Sequence, residues 1–131
     1  MKLQKVRYKS LNAKAKEMFN FQKVSADLAD YGYTTLWLNN DWQGADFIAV
    51  HVDGTTTLRI QLKARLTFDK KYVGKDIYIC FREAEKAYLY PHDALLTKLG
   101  PFDGKTWKEK GLRSWPKMTR EQKEVLSNFQ L

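Results

Sequence analysis

The 131-residue sequence contains one cysteine, Cys80. A single thiol excludes an internal disulfide and leaves a zinc cluster or a two-cysteine redox motif without its ligands. Cys80 sits in the apolar stretch Ile77-Tyr-Ile-Cys-Phe81, which predicts an inert core position. Histidine is almost as scarce. His51 and His92 are far apart, and neither has a second His or Cys at metal-ligand spacing. His51 is expected on the Phe47/Ala49 face or near a hairpin tip, and His92 at the start of a helix. The seven glycines are scattered, so no glycine-rich loop is available to cradle a phosphate. No G-x-S-x-G elbow supports serine-hydrolase chemistry. No apolar run approaches the roughly 18 residues of a membrane span. The N-terminus is basic without an apolar signal region, so a cytoplasmic protein is expected.

Core-forming residues are plentiful. Hydrophobic residues make up 44% of the chain, with seven Tyr, seven Phe and four Trp. A chain of this size buries roughly two-thirds of its unfolded surface. One domain over residues 1–131 is expected, with a core at about residues 10–100 and a C-terminal appendage at 101–131.

The net charge of +8 is unevenly distributed. Residues 1–16 hold six Lys/Arg and no acid, residues 59–75 six against one acid, and residues 105–123 seven against two. Residues 17–58 run the other way, with one Lys against six acids. A basic surface around a locally acidic region points to a polyanion partner and to a metal or proton-transfer site.

Helical period runs from Ser10 to Tyr31, through Leu11, Ala15, Met18, Phe21, Val24 and Leu28. Ser10 or Asn12 can cap it and Gly32 can end it. Strand patterns follow at Tyr33–Leu38 (closed by Asn39-Asn40-Asp41), Asp46–Val52, Thr56–Leu66, Ile77–Phe81 and Ala87–Tyr90. A helix is predicted over Ala94–Leu99. Residues Pro101–Lys117 read as loop, and Thr119 with Gln122 forms a capping box for a last helix to about Phe129. The order predicts an α/β or α+β fold, a mixed sheet of four to five strands flanked by helices.

Three polar residues interrupt otherwise apolar strands: Asp46, Gln61 and Lys63. Asp53-Gly54 predicts a two-residue hairpin loop, because both central positions of such a turn favour positive φ. Val52 then pairs with Thr55, Val50 with Thr57, Ile48 with Arg59, and Asp46 with Gln61. Opposed residues share a side of the sheet, and Lys63 joins that side two residues on. Phe47, Ala49, Leu58, Ile60 and Leu62 form the other, apolar side, and a one-residue slip would scramble both. On the first helix, Glu17 shares a stripe with Phe21, Val24 and Leu28, a costly place for a carboxylate unless it is paired or binds a cation. Two carboxylates and an amide oxygen are hard ligands suited to Mg²⁺.

With Ala45-Asp46 and Gln61-Leu62-Lys63 lying 15 residues apart on consecutive strands after an acid-bearing helix, the sequence resembles the PD-(D/E)XK nuclease superfamily. That group includes restriction endonucleases and Holliday-junction resolvases. The resemblance covers about Ser10 to Leu99 and implies a restriction-endonuclease-like core. It also implies a Mg²⁺-dependent DNA endonuclease, with Mn²⁺ as a substitute, and a homodimer whose two sites address two strands. It assigns Asp46 as central metal ligand and Gln61 as second ligand in a QxK variant. Lys63 would position the attacking water, and Glu17 would be the helix acid. Ala45 replaces the motif's proline, and Gln61 replaces an acid. The second change leaves an alternative: a catalytically decayed nucleic-acid-binding module of the same fold. A third reading is an interaction domain whose polar cluster is a structural ion pair. Arg65, Lys70, Lys71 and Lys75 are expected to contact phosphates. Trp107 and Trp115 are expected to anchor the C-terminal loop on the core. DNA and RNA are not distinguished.

Overall fold

The computed structural model describes residues 1–131. Helix α1 spans Ala13–Ala29, and its N-cap is Asn12, whose side chain accepts from the Ala15 N–H at 2.8 Å. Ser10, expected at the start of the helix, instead ends a separate 3-10 turn over Tyr8–Ser10. The chain reverses at Gly32, whose φ of 84° suits a residue without Cβ.

Strands β1 (Tyr33–Trp42), β2 (Ala45–His51) and β3 (Thr57–Leu62) form a meander. A short β4 (Leu66–Asp69) leaves this sheet, and a 3-10 turn over Lys70–Tyr72 leads back to β5 (Tyr78–Glu83) and β6 (Lys86–Pro91). The main sheet has five strands in the order β1-β2-β3-β5-β6, with β3 and β5 parallel and all other neighbours antiparallel. Helix α2 spans His92–Leu99. The mixed α+β architecture predicted from the sequence is the one observed. No helix is long and apolar enough to cross a membrane.

Strand alternation divides the core between the two faces. Phe47, Ala49, Ile60, Cys80 and Ala87 pack against Val24 and Leu28 of α1. On the other face, Ile79, Phe81 and Tyr90 pack with Leu66 and Phe68 of β4 and Leu95 of α2. Cys80 is fully buried on the α1 face, and desolvation raises its thiol pKa, as an inert core thiol requires.

The structure departs from the sequence expectations in three stretches. Thr56–Leu66 is not one strand: the ladder to β2 ends at Ile60, and β4 pairs instead with β7 (Leu112–Trp115). Asn39-Asn40-Asp41 does not close β1, which continues to Trp42 through an irregularity in register. Pro101–Lys117 is not loop throughout, since it contains β7 and the short helix α3 (Lys105–Lys110). Trp107 and Trp115 pack against the core, and each forms an edge-on contact with Phe102. Helix α4 (Arg120–Leu126) carries the full Thr119/Gln122 capping box, and a 3-10 turn extends it to Phe129. The last residues return to β6, where Gln130 bridges Tyr88 and the Leu131 N–H donates to the Ala87 carbonyl at 2.9 Å.

Two substitutions separate core packing from capping. Leu28→Ala is expected to lower the unfolding free energy by about 2–5 kcal/mol, because it opens a cavity under the sheet. Thr119→Ala is expected to cost about 1 kcal/mol, the usual worth of an N-cap. Urea denaturation measures both. Equal losses would show that α1 does not anchor the core.

Candidate active site

The register is the predicted one: Val50 faces Thr57, Ile48 faces Arg59, and Phe47 faces Ile60. The turn that closes it is not. Asp53 does not take a positive φ. Its carboxylate instead accepts from the backbone N–H groups of Thr55 and Thr56 at 2.8 Å each and from the Thr56 hydroxyl at 2.6 Å. Those donors hold the Asp53 carboxyl well below the ordinary carboxylate range. The loop is correspondingly wider. His51 N–H donates to the Thr56 carbonyl, and Val52 bonds the Gly32 carbonyl rather than pairing with Thr55. The tight two-residue turn lies between β1 and β2, where Gln43 and Gly44 have φ of 54° and 89° and Trp42 pairs with Ala45. Gly44 donates to Asp41 Oδ1 at 2.8 Å and packs on the Tyr72 ring.

At the far end of the hairpin the ladder stops at Phe47–Ile60, so Asp46 and Gln61 do not form a backbone pair. The Asp46 side chain takes over, its Oδ2 accepting from the Leu62 N–H at 2.9 Å. The Lys63 N–H donates to the Cys80 carbonyl at 2.8 Å, which fixes the end of β3 against β5. Asp46, Gln61 and Lys63 line one cleft of about 320 Å³ together with Asp41, Lys71 and Lys75. Lys14 of α1 also reaches it, and Lys14 Nζ lies 5.1 Å from the centre of the Trp37 ring.

Two groups in the cleft are electrostatically displaced. Burial raises the pKa of Asp46, the Leu62 N–H opposes this, and Glu17 and Asp41 add to the rise while Lys63 lowers it. Burial lowers the pKa of Lys63, and Lys71 adds to the fall against the pull of Asp46 and Asp69. The Lys63 amine lies over the Tyr72 ring at 5.3 Å. A desolvated carboxylate beside other acids has reason to accept a cation. No three carboxylates, histidines or cysteines converge. The donor set that suits a hard divalent ion is therefore the Asp46 carboxylate, the Gln61 amide oxygen and water.

Glu17 is displaced from the expected position. Its Oε1 accepts from Lys14 Nζ at 3.0 Å, and it lines a neighbouring concavity that shares Lys63 with the cleft. The four basic residues expected at phosphates also divide. Lys71 and Lys75 line the cleft. Lys70 is drawn away by α3: its stem packs on Gly111 and its amine lies over Trp107 at 5.3 Å. Arg65 is exposed beyond the end of β3, outside the cleft. His51 makes an edge-on contact with Tyr33 at the hairpin tip. His92 opens α2 fully buried, accepting from the Asp69 N–H through Nε2 at 3.0 Å, with Nδ1 2.9 Å from Asp93.

Sequence reasoning passed over Asp41, Lys14 and Arg59. Arg59 bonds Gln43 and the Lys75 carbonyl, tying together two segments that border the cleft. A lone arginine in the middle of a strand gave no signal of this, since both partners are distant in sequence. Asp41 could have been found from the Asp41–Gly44 spacing of an Asx-type turn.

The raised Asp46 pKa has a defined sign for stability. Its ionised form is disfavoured in the folded state, so its contribution falls as pH rises from the unfolded value of 3.8 through the folded one. Asp46→Asn is therefore expected to gain stability relative to wild type as pH rises through that range. Asp46→Ala, which strands the Leu62 N–H, is expected to lose about 1–3 kcal/mol. Denaturation across pH reads both; a wild-type-to-Asn difference that does not change with pH would contradict the burial argument.

No protein-family model matches the chain, and no curated protein matches it. Among solved structures, the Holliday junction resolvase Hjc of Archaeoglobus fulgidus aligns over 60% of this chain and 74% of its own, at 14% identity and a TM-score of 0.47. A bacterial homing endonuclease, I-Ssp6803I, aligns over 92% of this chain and 89% of its own, at 16% identity and a TM-score of 0.53. The chain has the fold of this endonuclease, in keeping with the restriction-endonuclease-like core expected from its sequence.

Proposed function

We propose that the protein is a metal-dependent DNA endonuclease that hydrolyses phosphodiester bonds in the cleft formed by Asp46, Gln61 and Lys63. One observation carries the reading: a desolvated carboxylate and a desolvated amine share a cleft with Lys71 and Lys75, and they do so on a fold shared with an endonuclease. That combination suits a substrate that brings its own negative charge. Lys71 and Lys75 would hold the phosphate backbone. Lys63 would orient the attacking water and offset charge building on the phosphate, the type of stabilisation that dominates such reactions. Asp46 and Gln61 would hold Mg²⁺, or Mn²⁺ in its place. When bound, the ion would supply Lewis-acid activation of phosphate and water. Glu17 lines a concavity that also includes Lys63, and its carboxylate adds to the field felt by Asp46.

Gln61 supports a second reading. An amide gives one charge less than an acid, so a module that binds nucleic acid without cutting it fits the same residues. A homodimer completes the primary reading, since two cleavable strands call for two sites.

Purified protein is expected to cut plasmid, branched or single-stranded DNA with Mg²⁺ or Mn²⁺. Asp46→Ala and Lys63→Ala are expected to slow cutting by roughly a hundredfold or more. No cutting by wild type, or equal cutting by the variants, would reject the nuclease reading. Calorimetric metal titration separates the second reading: Gln61→Glu is expected to tighten uptake, whereas DNA binding with no metal uptake by either form favours the non-cutting module.

A further inference from the structure

The candidate active cleft does not end at Lys63. A concavity of about 280 Å³ shares Lys63 with it and extends past Glu17 and Lys16 to Tyr8. A third, of about 610 Å³, shares Tyr8, Asn20 and Ala64 with the second and continues to Phe19, Lys23 and Arg82. The three adjoin one another at these shared residues, beside the N-terminal half of α1. Together they lead away from the cleft toward Tyr8 and Arg82.

The lining of the outer groove is unlike that of a packed surface. Tyr8 is held by the 3-10 turn, and its hydroxyl accepts from Asn20 Nδ2 at 3.0 Å. Its ring leans on Phe19 at 5.1 Å between centres, yet Tyr8 remains 40% exposed. Cations ring this aromatic pair. Lys16 Nζ lies 5.5 Å from the Tyr8 ring, while Lys23 Nζ and Arg82 Cζ lie 5.4 Å and 5.7 Å from the Phe19 ring. Arg82 forms no salt bridge, and its Nε is the one buried side-chain polar atom in the protein without a hydrogen-bond partner. Glu85 lines the same concavity without forming a salt bridge to Arg82, so this half-buried guanidinium with an unpartnered Nε still has room for an anion.

Aromatic faces interleaved with cations match an unpaired polynucleotide strand, whose bases stack and whose phosphates pair with the cations. A duplex keeps its bases stacked on each other and has no use for such a platform. We infer that the groove formed by Tyr8, Phe19, Lys16, Lys23 and Arg82 binds an unpaired DNA strand next to the duplex held at the cleft, so that the preferred substrate carries a single-stranded extension or branch. The inference rests on the polynucleotide part of the proposed function and not on cleavage. On binding, a base takes the exposed face of Tyr8, and the lysine amines swing from the rings to the phosphates.

The test reads binding alone, without divalent metal and on Asp46→Ala protein, so a failed nuclease assay does not bear on it. Fluorescence anisotropy compares a blunt duplex with the same duplex carrying a 5′ or a 3′ oligothymidine extension. The extended duplex is expected to bind more tightly. Tyr8→Ala is expected to lower that affinity by at least about fivefold with blunt-duplex affinity unchanged, and Tyr8→Phe to retain it, because the ring face is what stacks. Arg82→Gln is expected to weaken binding of the extension and to reduce the slope of log affinity against log salt by about 0.7, the loss of one phosphate contact on a single strand. Arg82→Lys should keep the slope, and circular dichroism checks that the variants fold. Equal affinity for blunt and extended duplexes, no DNA binding at all, or an extension preference that survives both Tyr8→Ala and Arg82→Gln in folded protein would overturn the inference.

Discussion

A single hydrogen bond organises the cleft end of the molecule: the Leu62 N–H donating to the Asp46 carboxylate. A regular ladder would give that donor a backbone carbonyl of β2. With a side chain in its place, the two strands need not stay paired past Phe47 and Ile60, and the space between them opens as the cleft. The same bond fixes one carboxylate oxygen in a half-buried setting, and the desolvation that results raises the Asp46 pKa. Lys63 depends on the same feature. Its backbone bonds across to Cys80 of the parallel neighbour, which leaves its side chain at the mouth of the opening over Tyr72.

The elements around this bond act as struts. Arg59 ties the β1–β2 turn to the segment before β5, and Asp41 caps the turn from inside. The Gln43-Gly44 backbone brings Gly44 against the Tyr72 ring, the ring over which Lys63 and Lys71 also lie. Charge is arranged on the same plan: a small acidic set of Asp46, Asp41 and Glu17 is surrounded by lysines from three separate parts of the chain, Lys14, Lys63 and the Lys71/Lys75 pair. Such a surface sets a small acidic spot within a broader basic field.

The hairpin register was legible because alternation, and not the turn, determines it. Phe47, Ala49 and Ile60 must face α1, and that requirement survives a misassigned loop. Asp53-Gly54 carries the usual two-residue signal, but the Asp53 carboxylate finds three donors in a wider loop, a gain that propensity does not register. The break between β3 and β4 was hidden for a different reason. Leu62, Leu66 and Phe68 continue the apolar beat across it, and only pairing with the distant β7 shows that the chain has changed sheets. Residues 105–115 lacked a readable period because α3 and β7 are too short to show one. Asp46, Gln61 and Lys63 could be found as polar intrusions in apolar strands. Arg59 and Tyr8 could not, since each acquires its position from contacts that the linear order does not reveal.

The two borders of the main sheet differ. Along β6, Gln130 and Leu131 fold back and occupy main-chain groups at Tyr88 and Ala87. Along β1, nothing pairs with the outer side, and Leu36 and Trp42 stand exposed on that strand. Any growth of the sheet by strand addition is thus confined to one flank. Two copies joined there through a two-fold axis would use up the available flank of both, so the assembly would stop at a pair and could not lengthen into a fibre.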